Sequence, residues 1–274
     1  MCEHHEEDQG TINRRRVLAG GVAVTAAGVA ATVASPAVAA TDPYADPAKP
    51  ALPQTDVTVD LNDTALVVVD PQIDFLSEQG VTWGVVGESV TEHNVVSNIS
   101  HLFNAAKATG MTVAISPHYY YPTDHGWKFE GPLEKLMHAI GMFNRKGPLD
   151  LEGFEGSGAD FMPEYKDHIF DGKTIIASPH KVYGPETTDL DLQLRKRGIN
   201  KVILVGMSAN LCVQSHLYNL LERGYEVAIV RDATAAAKLP EGDGYHAALT
   251  NFRYVANALW TTDEAVKRIK NAVV

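Results

Sequence analysis

Ala65-Leu66-Val67-Val68-Val69-Asp70 is a run of five apolar residues, three of them valine, closed by a carboxylate. A strand with one face in water alternates apolar and polar residues. An unbroken apolar, β-branched run fits a strand buried on both faces, as in a parallel sheet covered by helices. Working outward, similar runs recur at residues 111–116, 174–178, 201–205, 225–230 and 258–260. Between them the apolar residues take helical spacing at 90–108, 188–197, 210–223, 242–257 and 262–271, and Gly110, Gly198 and Gly224 close the first three of these. Repeated strand–helix units predict an α/β fold with a parallel sheet and helices on both faces.

In such sheets the ligand site lies beyond the carboxyl ends of the strands. Asp70, residues 116–118, residues 178–181, residues 206–212 and Arg231-Asp232 are therefore expected at one edge. Residues 119–173 interrupt the alternation with a Tyr-, Trp-, Phe- and Gly-containing insertion. A stretch of that length without strong periodicity reads as a lid or binding loop.

Composition narrows the function classes. The 274 residues are 45% hydrophobic and 21% charged, a globular balance rather than a disordered one. The net charge of −11 and the lack of a basic run outside the first 20 residues argue against a nucleic-acid partner. Two cysteines, Cys2 and Cys212, exclude a disulfide framework and a multi-cysteine zinc site.

Residues 1–40 read as an address. Asn13-Arg14-Arg15-Arg16 precedes an Ala/Gly/Val run to about residue 33, and Ala37-Val38-Ala39 follows as a small-residue cleavage site. The paired arginines resemble a twin-arginine export signal. A retained membrane anchor is the other reading of this run, although strongly apolar residues are scarce in it. Cleavage after Ala40 would leave Cys212 as the only thiol. Residues 41–57, rich in Pro, Ala and Asp, read as a linker, and residues 58–274 as the folded domain. Export machinery is the partner this implies, with a periplasmic or extracellular destination.

Three segments together resemble the isochorismatase-like cysteine hydrolases. These are 67–75 (Val67-Val68-Val69-Asp70-Pro71-Gln72-Ile73-Asp74-Phe75), 180–183 (His180-Lys181-Val182-Tyr183) and 206–213 (Gly206-Met207-Ser208-Ala209-Asn210-Leu211-Cys212-Val213). Val230-Arg231-Asp232-Ala233 is a weaker fourth match. The resemblance implies a Rossmann-like, three-layer α/β/α fold with a six-stranded parallel sheet, and a homo-oligomer. It implies Asp70, Lys181 and Cys212 as the catalytic triad, and an oxyanion hole made by the backbone N–H groups of Ser208 and Cys212. It also implies a cis peptide at Met207-Ser208. The activity implied is hydrolysis of a C–N bond in a small amide or carbamoyl compound through an acyl-enzyme, with no cofactor. An esterase or thioesterase on the same triad, or a non-catalytic binding protein, are the alternatives.

Cys212 would sit two residues into a helix, whose N-terminus carries partial positive charge, and Lys181 would add a full one. Both would lower the thiol pKa from about 8.5. Asp70 would take the thiol proton and return it to the leaving group. A buried cysteine is also a common core residue, Asp70 could cap a strand end, and Lys181 could lie on the surface. His216, one turn after Cys212, reads as a packing residue, with a Cys–His dyad as the alternative. Phe75, His118, Tyr119, Tyr120 and Tyr183 are candidate substrate contacts, the tyrosines being equally suited to packing the insertion down. The related nicotinamidases bind metal through an Asp-x-His pair and a further His. Here that segment is Ser116-Pro117-His118, so no metal is expected.

Overall fold

The computed structural model describes residues 42–273. Residues 1–40, read from the sequence as an export signal with a cleavage site, lie outside the described residues. No helix among the described residues is long and apolar enough to cross a membrane.

Six parallel strands form one sheet: β1 (Thr64–Val69), β2 (Thr112–Ser116), β3 (Ile175–Ile176), β4 (Lys201–Gly206), β5 (Glu226–Thr234) and β6 (Ala258–Trp260). Their order is β3-β2-β1-β4-β5-β6, so the chain starts mid-sheet, winds to one edge, then returns to fill the other. All six residues of β1 are buried, as its unbroken apolar run predicts.

Alternation along the strands divides the core. Leu66, Val68, Val113, Ile115, Ile203 and Val205 face one layer, with Ile99, Leu102 and Phe103 of the helix Val95–Thr109 and Ala265 and Ile269 of the helix Thr262–Lys270. Ala65, Val67, Val69, Val202 and Leu204 face the other, with Leu217 and Leu220 of Gln214–Glu222 and Leu249 and Phe252 of Gly244–Val255. Both faces of β1 are thus removed from water. At about 25 cal/mol per Å² of apolar area, such burial is the main force holding the three layers together.

Three boundaries depart from the sequence reading. The helix expected over 90–108 is two helices, Trp83–Glu92 and Val95–Thr109, separated at Asn94, whose φ is 51°. Asn tolerates that left-handed conformation through local hydrogen bonding, which periodicity does not register. The fifth strand continues to Thr234, past a register shift opposite 204–206. The helix expected from 210 opens with a wide turn, Ala209–Val213, before Gln214–Glu222. The Val213 N–H donates to the Ser208 carbonyl at 3.1 Å across that turn. Such π-turns frequently mark functional sites.

The insertion 119–173 holds one helix of eight residues, Pro132–Ala139, and several short turns. Two buried polar side chains bind it to the sheet edge. Asp74 accepts from the Phe143 N–H at 2.7 Å and from the Val81 N–H at 3.3 Å. Gln72 donates from Nε2 to the carbonyls of His118 (2.8 Å) and Ala159 (2.9 Å), and accepts from the His118 N–H (2.8 Å).

Candidate active site

The strand ends converge as the parallel topology requires. Asp70 follows β1 with φ 48°. A non-glycine residue pays of order 1–3 kcal/mol for a sparsely populated backbone conformation, and such residues cluster at functional sites. Its N–H donates to the Ser116 carbonyl at 3.0 Å, tying the end of β1 to that of β2. Gly206 ends β4 with φ 114°, and a Cβ there would run into the Val69 carbonyl oxygen. That close approach lets the next turn, with its cis Met207-Ser208 peptide, bring Cys212 back over the strand ends.

Four buried side chains meet there. One donor atom from each of Asp70, His118, His180 and Cys212 lies within 4.8 Å of the others. His180 Nε2 donates to Asp70 Oδ1 at 2.8 Å, and both side chains are completely buried. Asp70 Oδ2 and His180 Nδ1 have no hydrogen-bond partner among the described residues. The His118 and His180 rings lie 4.6 Å apart between centroids, and His118 Nε2 donates to the Lys181 carbonyl at 3.0 Å.

Burial raises the Asp70 pKa, and His180 and the Cys212 thiol oppose that rise. Burial also pushes the Cys212 thiol well up, and the Asp70 carboxylate adds to the push. The N–H groups of Ser208 and Cys212 counter it more weakly. The expectation of a lowered thiol pKa is therefore corrected: burial and the neighbouring carboxylate favour the protonated thiol. His118 is held well below its ordinary pKa by burial and by neighbouring His180, so it is neutral.

Lys181 does not take the position expected of it. Its Nζ donates to Asp124 Oδ2 at 2.5 Å and to the Tyr119 carbonyl at 2.8 Å, and lies 3.6 Å from the centre of the Tyr121 ring. The physical reason is alternation. His118 and His180 pair as parallel neighbours beyond β2 and β3, and in an extended segment the next residue points the other way. His180 thus meets Asp70, while Lys181 turns to the lid. The signal was present in the adjacent pair His180-Lys181, but Pro179 and the irregular approach hid the register.

The remaining candidates divide. Tyr120 is fully buried, its ring 4.7 Å from that of His118 and 4.4 Å from that of His138, and its hydroxyl has no partner among the described residues. Burial raises the pKa of the hydroxyls of both Tyr120 and Tyr183. Tyr119 is buried with the Arg145 guanidinium 4.6 Å above its ring. Phe75 packs edge-on to Phe143 at 5.2 Å within the core. His216 donates from Nδ1 to the Cys212 carbonyl at 2.7 Å and takes the Ser116 hydroxyl on Nε2 at 2.8 Å. Burial lowers its pKa to about 3, so it braces the turn as a neutral ring and forms no dyad with the sulfur. Glu134 and Arg145, both on the insertion, were not singled out in the sequence because nothing in their spacing ties them to the strand ends.

The insertion also carries an open cleft of about 500 Å³ lined by His125, Arg145, Lys146 and Phe154 among others. None of Asp70, His180 or Cys212 lines it, so it is separate from the thiol.

Residues 64–264 match the isochorismatase domain family. Ureidoacrylate amidohydrolase RutB of Variovorax paradoxus is 27% identical over 197 residues, spanning 68% of this chain and 73% of that protein. Its counterpart in Agrobacterium fabrum is 28% identical over 194 residues, 68% and 81% of the two chains. Among solved structures, a cysteine hydrolase from Pseudomonas syringae pv. phaseolicola superposes with a TM-score of 0.66 at 23% identity, covering 80% of this chain and 98% of that one. N-carbamoylsarcosine amidase from Thermoplasma acidophilum superposes with a TM-score of 0.54 at 22% identity, covering 73% and 97%.

Proposed function

This chain belongs to the isochorismatase family of hydrolases, and we propose that it cleaves the C–N bond of a small amide or carbamoyl compound with Cys212 as nucleophile, Asp70 as general base and acid, and His180 in the third position. The observation that carries this reading is the buried meeting of the Cys212 thiol, the Asp70 carboxyl and the His180 ring at the strand ends. The similarity to amidohydrolases in sequence supports the bond class.

The chemistry follows from the ionisation of the site. The thiol is protonated at rest, so sulfur attacks the substrate carbonyl as its proton passes to the Asp70 carboxylate. The C–S bond forms and the carbonyl oxygen becomes an oxyanion, which the N–H groups of Ser208 and Cys212 receive. Asp70 then gives the proton to the leaving nitrogen, the C–N bond breaks, and an acyl- or carbamoyl-thioester remains on Cys212. Water, deprotonated by Asp70, hydrolyses the thioester and restores the thiol. His180 acts through Asp70: its Nε2–H fixes Oδ1, leaving Oδ2 to carry the proton. In this reading Tyr120, whose buried hydroxyl has no partner among the described residues, and Tyr183 contact the substrate.

Export by the twin-arginine route with cleavage after Ala40, and assembly as a homo-oligomer, belong to the same proposal. They rest on Arg14-Arg15 and the A-x-A segment, and on the family resemblance. N-terminal sequencing of the secreted protein and light scattering test them.

The test of the activity is ammonia release from a panel of primary amides, N-carbamoyl amino acids and ureido acids, with p-nitrophenyl esters alongside. Turnover of a C–N substrate that disappears in Cys212→Ser supports the proposal. Turnover of esters alone, or C–N turnover that survives Cys212→Ser, contradicts it.

A further inference from the structure

The four buried donors at the strand ends make a set that a hydrolytic triad does not require. A lysine ammonium in the third position would repel a cation. Here that position holds an imidazole, and the neighbouring ammonium of Lys181 is held away by Asp124 and the Tyr119 carbonyl. We infer that Asp70, His118, His180 and Cys212 form a binding site for a zinc-like divalent cation, which occupies the thiol and holds the enzyme inactive until it is removed.

Three observations carry this. First, the donor set is one thiolate, two imidazoles and one carboxylate, the ligand types and number of a tetrahedral zinc site. Zinc bonds of about 2.0–2.3 Å put tetrahedral ligands about 3.3–3.8 Å apart, so donors already within 4.8 Å need to close by only about 1 Å. Second, Asp70 Oδ2 and His180 Nδ1 are buried polar atoms with no partner among the described residues. Unsatisfied buried polar atoms are rare and call for an explanation, which an ion bound among these side chains would supply. Third, one ring nitrogen of His118 is already held by a group outside the ligand set, Nε2 by the Lys181 carbonyl, while His180 Nε2 is fixed by Asp70 within the set, leaving its Nδ1 free. Metal-ligating imidazoles characteristically donate their second nitrogen in this way.

Charge balances as well. Thiolate and carboxylate together cancel a divalent cation, so the filled site is neutral in a buried setting where uncompensated charge is costly. Binding converts the Cys212 S–H to a sulfur–metal bond and releases that proton to solvent. The metal then withdraws electron density from that sulfur and blocks its approach to a carbonyl carbon, so metal binding and acyl transfer exclude one another. The inference goes beyond the hydrolase reading and shares residues with it.

The experiment titrates Co²⁺ into the chelator-treated full-length protein and follows its electronic spectrum. One equivalent should produce visible bands of tetrahedral intensity and a near-ultraviolet sulfur-to-cobalt charge-transfer band, both abolished by added Zn²⁺. Cys212→Ser should lose the charge-transfer band, and His180→Lys and His118→Ala should each weaken binding at least tenfold, with thermal melting confirming that the variants are folded. No charge-transfer band, or equal affinity in wild type and His180→Lys, overturns the inference. Amide turnover by the metal-free enzyme separates the two readings. Turnover without a cobalt band removes the metal and keeps the hydrolase; a cobalt band without turnover does the reverse.

Discussion

His180 Nε2 donates to Asp70 Oδ1 at 2.8 Å, with both side chains fully out of water. This places an imidazole, rather than the adjacent lysine, behind the proposed base, and it divides the roles of two consecutive residues. His180→Ala should lower kcat of the hydrolase by about 10²-fold or more, because it removes the bond that orients Asp70. Lys181→Ala should change kcat little and cost about 1 kcal/mol of stability through loss of the half-buried pair with Asp124. Steady-state kinetics and urea melts of the two variants check this; the opposite ranking in kcat would restore Lys181 to the site.

The raised pKa of Asp70 has a stability consequence with a definite sign. Burial makes the folded-state pKa higher than the unfolded one, so the folded protein binds the extra proton in the interval between them. Stability contributed by this group is therefore greatest below the unfolded carboxylate range and falls as pH rises through the folded pKa. Asp70→Asn keeps the shape and removes that cost. It should melt at higher temperature than wild type at pH 7, with the difference shrinking toward pH 4. The same variant should lose about 10²–10⁴-fold in kcat. Calorimetry at two pH values and an activity assay test both halves.

Cys212 should react slowly with iodoacetamide at neutral pH, since burial and Asp70 both hold its proton on. The rate should climb with pH beyond the ordinary thiol range. Removing the neighbouring negative charge in Asp70→Asn should shift the profile to lower pH. Alkylation followed by intact mass reads this out; a profile centred below the ordinary thiol value in wild type would contradict it.

Gly206→Ala tests the close approach of β4 to β1. At φ 114° an alanine is strained, and its Cβ would strike the Val69 carbonyl. A loss of about 2 kcal/mol or more, in the urea midpoint, is expected. Gln72→Ala should cost about 2–3 kcal/mol, because it leaves the His118 N–H and C=O and the Ala159 C=O without their buried partner.

The sheet was legible because each strand announces itself locally. A run such as Ala65–Val69 has no polar residue to face water, and the parallel topology then fixes which ends carry the site. Asp70 and Cys212 followed from that rule together with the flanking motifs. His180 did not, because choosing between two adjacent residues requires a register, and the register is set by pairing with His118 across a turn that has no period. The thiol's ionisation was misread for a related reason. A helix terminus is visible in sequence, whereas complete burial beside a carboxylate is a property of the assembled core. Of the lid, the sequence marks length and aromatic content but not its two latches, since Gln72 and Asp74 reach it from the end of β1 across the fold.

The most direct measurement is rapid-quench intact mass spectrometry of the enzyme during turnover of a C–N substrate found by ammonia release. The account predicts a transient adduct on Cys212 with the mass of the acyl or carbamoyl group, formed as ammonia is released and decaying with product. It predicts that the adduct is absent in Asp70→Asn. Full turnover with no adduct on Cys212 at any quench time, while Cys212→Ser remains active, would contradict it.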